Sequence, residues 1–146
     1  MNLSVKNVSL SIGDRKILKN IVLSVDSGEF VGLIGPNGSG KSTLLKNIYR
    51  VYKPDVGVIE LDDKDIFKLP SRTVAQNLAV VSQETPELFD FEVSEIVSMG
   101  RSPHKKFLES DSKKDHDIVY QSLQKVGMEK FIDKKFSLLS GGEKQR

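Results

Sequence analysis

Eight consecutive residues, from Gly35 to Ser42, read Gly-Pro-Asn-Gly-Ser-Gly-Lys-Ser. Their spacing fits the phosphate-binding pattern Gly-x4-Gly-Lys-Ser/Thr. Because glycine reaches positive φ without steric cost, such a loop wraps a phosphate chain and turns its N–H groups inward. Lys41 would contact the β- and γ-phosphates, and the Ser42 hydroxyl would ligate Mg²⁺. The pattern therefore predicts a site for a nucleoside triphosphate with Mg²⁺.

The neighbouring segments supply the strand and the helix that such a loop requires. Glu29–Ile34 is mostly apolar and follows a turn signal, which predicts a buried strand. After the loop, Leu44, Leu45 and Ile48 share one helical face. The alternative is a glycine-rich turn with no ligand, which leaves Lys41 and Ser42 unexplained. The residues predicted to bind nucleotide here are Gly35, Pro36, Asn37, Gly38, Ser39, Gly40, Lys41, Ser42 and Thr43.

Composition limits the classes of protein that the chain can represent. The 146 residues carry 22 Lys and Arg against 20 Asp and Glu, a balance that does not favour nucleic acid as a partner. The absence of cysteine excludes disulfides and thiolate metal sites. The amino terminus lacks the apolar core of a signal peptide, and no apolar run approaches the roughly 18 residues of a membrane span. We expect an intracellular protein that reaches a membrane only through a partner.

Periodicity predicts antiparallel strands before the loop and mostly helices after it. Apolar residues alternate at Leu3 and Val5, again from Val8 to Ile12, and again from Ile21 to Val25. Later predicted strands are Gly57–Leu61 and a buried one at Leu78–Ser82. Helices are predicted at Pro70–Asn77, Val93–Met99 and Asp111–Val126, with Gly127 as the residue that ends the last one and His104–Ser112 as a surface loop.

A second motif, Leu-Ser-Gly-Gly-Glu, occupies residues 139–143. A serine followed by two glycines is also typical of a flexible linker. However, Ser140 and Glu143 have the spacing of a capping box, which places Gly141 and Gly142 in the first turn of a helix. Each glycine there costs about 1 kcal/mol relative to alanine. That cost is reasonable if an anion such as a γ-phosphate approaches the exposed N–H groups closely.

The phosphate loop, a strand ending in Gln83 and the Leu-Ser-Gly-Gly-Glu motif occur in the order found in the nucleotide-binding domain of ABC transporters. The resemblance extends over essentially the whole chain. It implies an α/β fold, a P-loop NTPase of ABC type with an antiparallel β-subdomain and a helical subdomain. Residues 1–82 would form the β-subdomain and P-loop core, residues 83–139 the helical subdomain, and residues 140–146 the start of the signature helix.

The resemblance also implies roles for individual residues. Gln83 would contact Mg²⁺ and the attacking water, and would act with Lys41 in catalysis. Ser140, Gly141 and Gly142 would cap the γ-phosphate of ATP held by the other subunit of a homodimer. The implied cofactors are ATP and Mg²⁺. The implied partners are a second ATP-binding subunit and membrane permease subunits on the cytoplasmic face of the cell membrane.

The adenine contact departs from the family pattern. ABC proteins usually stack the base on an aromatic residue just before the second strand, and Ile12 occupies that place here. An apolar contact from Ile12 or a cation–π contact from Arg15 would substitute. Selectivity for ATP over GTP is therefore less firmly predicted than triphosphate binding.

A finer resemblance concerns the turn Gly-Arg-Ser-Pro at residues 100–103, which also reads as an ordinary turn. Together with the segments 61–66 and 69–72, it is similar to importers of iron–siderophore, haem and cobalamin. We expect Glu84–Met99, with exposed Leu88, Phe89 and Phe91, to contact the membrane subunit unless these side chains pack on the helical subdomain. His104 and His116 are expected to be surface residues rather than metal ligands.

The family's next elements would be an aliphatic strand ending in Asp-Glu and a switch histidine. No such run follows the loop within the 146 residues, so we expect a fold truncated before the Walker B strand, with apolar side chains exposed at Phe30–Ile34. A truncated, non-catalytic remnant that binds nucleotide weakly is therefore one alternative. A soluble ABC ATPase acting in DNA repair or translation is another, which the near-neutral charge and the Gly-Arg-Ser-Pro turn do not favour.

Overall fold

The computed structural model describes residues 1–82, 90–106 and 108–146. The chain forms two compact units, Met1–Val74 and Ala75–Arg146. Within the described ranges, no helix is both long and apolar enough to cross a membrane. The strands are β1 (Leu3–Ile12), β2 (Arg15–Val25), β3 (Val56–Leu61) and β4 (Lys64–Asp65); the helices are α1 (Lys41–Ile48), α2 (Ser71–Asn77), α3 (Val93–Met99), α4 (Lys113–Lys125) and α5 (Gly141–Lys144), with one-turn 3₁₀ helices at Ser102–His104, Glu129–Phe131 and Phe136–Leu138.

The first unit is built on a four-stranded antiparallel sheet in the order β2-β1-β3-β4. The predicted antiparallel strands before the loop are confirmed, as is the strand predicted at 57–61. Helix α1 buries one apolar stripe in this unit. The buried apolar side chains are Val5, Val8, Leu10, Leu18, Leu44, Ile48, Ile59, Leu61, Ile66 and Val74.

A bulge joins two groups of apolar residues into the single strand β1. Val5 and Val8 are both fully buried although they are three residues apart, which a regular strand with period two does not allow. Lys6 pairs with Val58 and Ser9 with Val56, so two residues of β1 lie opposite Gly57 alone. The extra residue lets β1 change parity and keep both valines in the core.

Two segments predicted as buried strands are not strands. Glu29–Ile34 and Leu78–Ser82 have no strand partner in the part of the chain that the structure describes. Most of their apolar side chains are exposed: Phe30 is 100% exposed and Ile34 is 95% exposed. The local sequence pattern indicates only that a segment is suited to a buried strand. Whether the segment pairs depends on a second strand, which the local pattern does not specify. The expected exposure of apolar side chains at 30–34 is confirmed.

The face of α1 that meets the core differs by one residue from the prediction. Leu44 and Ile48 are buried as expected, but Leu45 is 50% exposed. Asn47 is fully buried instead, because it lies three residues after Leu44 and so on the same side of the helix. Leu45 is rotated about 100° away from that side.

The second unit packs α3 and α4 around its own apolar core. Val93, Val119, Leu123, Met128 and Leu139 are buried together. The predicted helix at 93–99 is confirmed. The helix predicted at 111–126 runs from Lys113 to Lys125, and Gly127 ends it at φ +67°, as predicted.

Asp115 ties the start of α4 to the turn after α3. Its carboxylate accepts hydrogen bonds from the Ser112 hydroxyl at 2.5 Å, from the Ser112 N–H at 3.0 Å and from Arg101 Nε at 3.0 Å. The Ser112 bonds, with Arg101 adding to them, hold the pKa of Asp115 well below its usual range. Arg101 of the Gly-Arg-Ser-Pro turn therefore has a structural contact within this unit.

Replacing Asp115 with asparagine is expected to lower the stability of the second unit at neutral pH. Since the folded-state pKa is depressed, the ionised carboxylate stabilises the fold above the unfolded pKa of about 3.9, and this contribution is lost as pH falls further. The variant should therefore show a flatter dependence of unfolding free energy on pH below about pH 4. Urea denaturation across this range measures the effect, with Asp117→Asn on the same helix as the control. Equal pH dependence in D115N and D117N would contradict it.

Candidate nucleotide-binding site

The phosphate-loop sequence forms a compact turn that leads directly into α1. Gly38 and Gly40 lie at φ +77° and +95°, which a residue with a side chain adopts only at a cost. A Cβ on Gly40 would lie 3.0 Å from Leu18 Cδ2 and 3.2 Å from the Ile17 carbonyl oxygen. The end of the loop therefore packs against β2, and glycine permits this approach.

Lys41 directs its ammonium group back over the loop. Its Nζ donates to the carbonyl oxygens of Gly35 at 2.7 Å and of Pro36 at 2.8 Å. An ammonium group has three protons to donate, and phosphate oxygens accept more strongly than neutral carbonyls do. The geometry therefore holds the positive charge where a phosphate chain wrapped by the loop would meet it.

The start of α1 suits an anion and a divalent cation. Gly40 is the N-cap, and no acidic residue lies in the first helical turn. The unpaired N–H groups and the positive end of the helix dipole therefore face no competing carboxylate from that turn. Ser42 is exposed in this turn, followed by Thr43. These residues fit a nucleotide phosphate with Mg²⁺: the loop and Lys41 would hold the phosphates, and the Ser42 hydroxyl would be a metal ligand.

The residues proposed to contact the base lie at the end of the β1–β2 hairpin. Ile12 pairs with Arg15 across a two-residue turn, and both are exposed. Arg15 precedes Ile17 by two residues, or about 7 Å along the strand. Because Ile17 touches Gly40, the hairpin end and the phosphate loop lie in one region of the first unit.

The second motif forms the predicted capping box at the start of α5. Ser140 N–H and the Ser140 hydroxyl each donate to Glu143 Oε2 at 2.7 Å, and Glu143 N–H donates to Ser140 Oγ at 3.4 Å. The bonds from Ser140 lower the pKa of Glu143 below its usual value. A Cβ on Gly141 or Gly142 would meet no atom within 4 Å. The glycines are therefore open to an approaching group and are not required by packing within this unit.

Several predicted residues lie outside the described residues or differ from expectation. Gln83, Leu88 and Phe89 belong to the range that the structure does not describe. Phe91 was expected to be exposed but is half-buried, and its carbonyl oxygen accepts a hydrogen bond from Phe136 N–H at 2.9 Å. Among the described residues, no group of three or more histidine, cysteine, aspartate or glutamate side chains is arranged to hold a metal ion.

Asn47 is a residue near the site that the sequence did not single out. Its Nδ2 donates to the Thr43 carbonyl oxygen at 3.2 Å, while its Oδ1 is buried with no hydrogen-bond partner in the described part of the chain. This buried amide lies one turn after Thr43, on the helix that carries Lys41 and Ser42. The only signal for it in the sequence is a polar residue at a position where helical periodicity places an apolar one.

Comparison with known proteins extends these observations. The family described as ABC transporter matches residues 18–146. Among curated relatives, the petrobactin import ATP-binding protein FpuC of Bacillus anthracis is 39% identical over 144 residues, which are 99% of this chain and 53% of that protein. The iron(3+)-hydroxamate import ATP-binding protein FhuC of Bacillus subtilis strain 168 is 33% identical over 145 residues, 99% of this chain and 54% of that protein. The chain spans about half the length of the curated relatives it matches.

Solved structures agree with the sequence relatives. The cbiO1 structure from Clostridium perfringens, part of the ABC transporter complex cbiONQ, gives a TM-score of 0.83 at 28% identity and covers 98% of this chain and 57% of that one. A nucleotide-free ATP-binding cassette from an ABC transporter gives 0.82 at 27% identity, covering 99% and 61%. The predicted α/β fold of ABC type is therefore confirmed, and the chain belongs to the ABC transporter family.

Proposed function

We propose that this chain is part of the ATP-binding subunit of an ABC importer for an iron chelate, haem or a corrinoid. The observation that carries the proposal is the position of Lys41, whose ammonium group is held over a glycine loop at the start of a helix. This arrangement matches what binding of a nucleoside triphosphate requires. Family membership supports ATP with Mg²⁺ as the ligand pair.

Each candidate residue has a distinct role in the proposal. The loop N–H groups and Lys41 would bind the phosphates, and Ser42 and Gln83 would hold Mg²⁺. Gln83 would also orient the attacking water, while Ile12 and Arg15 would hold the base. When bound, the metal would polarise the phosphates and offset their charge. Nucleotide binding is the activity to measure first, because the loop and Lys41 bear on it directly.

The assembly that we propose pairs two copies of the subunit. Ser140, Gly141 and Gly142 of one copy would face the γ-phosphate bound by the loop of the other. The pair would close when ATP binds and open after hydrolysis, and this motion would move membrane permease subunits. Ligand-driven closure of this kind occurs in the lids of other enzymes. The subunit would act on the cytoplasmic face of the membrane. The open space beside Gly141 and Gly142 supports this contact.

The solute class rests on the relatives. The curated proteins that match are named for import of iron(3+)-hydroxamate, petrobactin, ferric enterobactin and cobalamin. These names agree with the solute class that the turn Gly-Arg-Ser-Pro at residues 100–103 predicts from the sequence. An importer of this class is therefore preferred over a soluble ABC ATPase.

Two measurements test the proposed function. A fluorescent ATP analogue should bind the chain saturably with Mg²⁺, and the binding should weaken when EDTA removes the metal. Absence of binding at millimolar nucleotide would overturn the nucleotide-binding assignment. For the importer assignment, deletion of the coding region should abolish uptake of a radiolabelled iron chelate or of cobalamin while amino-acid uptake continues. Unchanged uptake of both solutes would remove the proposed solute class.

A further inference from the structure

We propose that Glu143 is a positioning residue that holds the hydroxyl proton of Ser140 and so weakens capture of a phosphate by Ser140. This inference rests on the proposed function, in which Ser140 faces the γ-phosphate bound by a second copy. It assigns to Glu143 a regulatory effect beyond its part in the capping box. The effect follows from one hydrogen bond, between Ser140 Oγ and Glu143 Oε2 at 2.7 Å.

The proton in this bond belongs to the serine. The pKa of Glu143 is lowered, so the carboxylate is ionised near neutral pH and has no proton to donate. Ser140 Oγ must therefore be the donor, and its lone pair also accepts weakly from Glu143 N–H at 3.4 Å. A hydroxyl has one proton, so Ser140 donates to one acceptor at a time.

A phosphate oxygen competes for that same proton. The oxygens of an ionised γ-phosphate are acceptors, so Ser140 must leave the Glu143 carboxylate before it can donate to them. Hydrogen bonds to a carboxylate are roughly twice as strong as those between neutral groups. The negative charge of Glu143 also opposes the approach of a phosphate. Both effects make the binding of a phosphate by Ser140 weaker than it would be without Glu143.

Nearby cations offset the negative charge of Glu143, but they do not change the competition for the hydroxyl proton of Ser140. Lys134 and Arg146 are close enough to help lower the pKa of Glu143. Lys144 lies with its Nζ 5.5 Å from the centre of the Phe136 ring. Lys134 and Arg146 offset part of the repulsion between Glu143 and an anion. None of them supplies a second proton to Ser140, so the choice between carboxylate and phosphate remains.

The chain contains a matched control for the capping role. Helix α3 has the same box, in which Glu92 N–H donates to Glu95 Oε2 at 2.8 Å. Its N-cap is Glu92, so no hydroxyl is involved. Changing Glu95 to glutamine therefore removes the charge from a capping box without releasing a serine proton. Changing Glu143 to glutamine removes the charge and also leaves the Ser140 hydroxyl with a weaker, neutral acceptor, while the amide oxygen can still accept from Ser140 N–H.

The experiment compares nucleotide-dependent self-association of the wild-type chain with that of three variants: E143Q, E95Q and S140A. Sedimentation velocity is run with Mg²⁺ and a non-hydrolysable ATP analogue, over a range of protein concentrations. We expect E143Q to associate about fivefold more tightly than wild type, the fold-change for exchanging a charged for a neutral acceptor. E95Q should associate like wild type, and S140A more weakly. Thermal unfolding of each variant is measured alongside.

The outcomes separate this inference from the proposed function. If S140A weakens association while E143Q equals wild type or is weaker, the proposed contact stands and the role of Glu143 is overturned. If E143Q and E95Q tighten association equally, loss of charge alone is responsible and the role is also overturned. If the wild type shows no nucleotide-dependent association although it binds nucleotide, the paired assembly fails, and the inference fails with it.

Discussion

Replacing Lys41 with alanine is expected to weaken binding of Mg-ATP by about 100-fold, which corresponds to about 2.8 kcal/mol. The variant loses the ammonium group that the loop holds by bonds from Nζ to the Gly35 and Pro36 carbonyl oxygens. With the ammonium group absent, the charge of the phosphates is met only by backbone N–H groups and the metal. Titration with a fluorescent ATP analogue measures the change.

A second lysine on the same helix provides the control for this variant. Lys46 lies in the last turn of α1 and is exposed. Lys46→Ala removes the same charge from the same helix but should leave nucleotide affinity within about twofold, since exposed charges are screened by solvent and salt. Thermal unfolding of both variants checks that the fold is kept. Equal affinities for K41A and K46A would show that Lys41 does not contact the phosphates.

Replacing Gly57 with alanine is expected to destabilise the first unit by about 4 kcal/mol, a large part of the stability of a small domain. Gly57 has φ +89°, and a Cβ there would lie 2.4 Å from the Asn7 carbonyl oxygen and 2.5 Å from that of Lys6. Relief requires β1 and β3 to separate at the bulge, where the buried Val8 is one of the two β1 residues opposite Gly57. Urea denaturation followed by circular dichroism measures the loss.

Gly28 separates the two causes of this effect. Its φ is +85°, nearly that of Gly57, but a Cβ there would meet no atom within 4 Å. Gly28→Ala therefore pays only for the left-handed backbone, about 1–2 kcal/mol. The difference between the losses of unfolding free energy in the two variants measures the energetic cost of the close approach of β1 to Gly57. Equal losses would show that the strands adjust without cost and that the bulge is not constrained.

Local spacing was sufficient for the features whose cause is local. The phosphate loop, the capping box of Ser140 and Glu143, and the end of α4 at Gly127 each depend on residues within a few positions of one another. The apolar periodicity also located the antiparallel strands and most helices. These features could be predicted because backbone conformation and short-range hydrogen bonds determine them.

Features that depend on distant residues could not be predicted in the same way. Glu29–Ile34 has a strand-like sequence, yet strand formation requires a neighbour that the local pattern does not specify. The bulge opposite Gly57 depends on how Val5 and Val8 both reach the core. The buried Asn47 breaks the apolar pattern of α1, so periodicity alone assigned Leu45 to the core instead. The hydrogen bond from Arg101 to Asp115 joins residues fourteen positions apart.

The exposed segment from Phe30 to Ile34 also affects the thermodynamics of unfolding. Apolar surface contributes to the heat capacity of unfolding only if the folded state hides it from water. Phe30 and Ile34 are already hydrated in the folded chain, so they add almost nothing to that heat capacity. This segment therefore contributes little to the curvature of stability against temperature and little to the dependence of the unfolding free energy on urea.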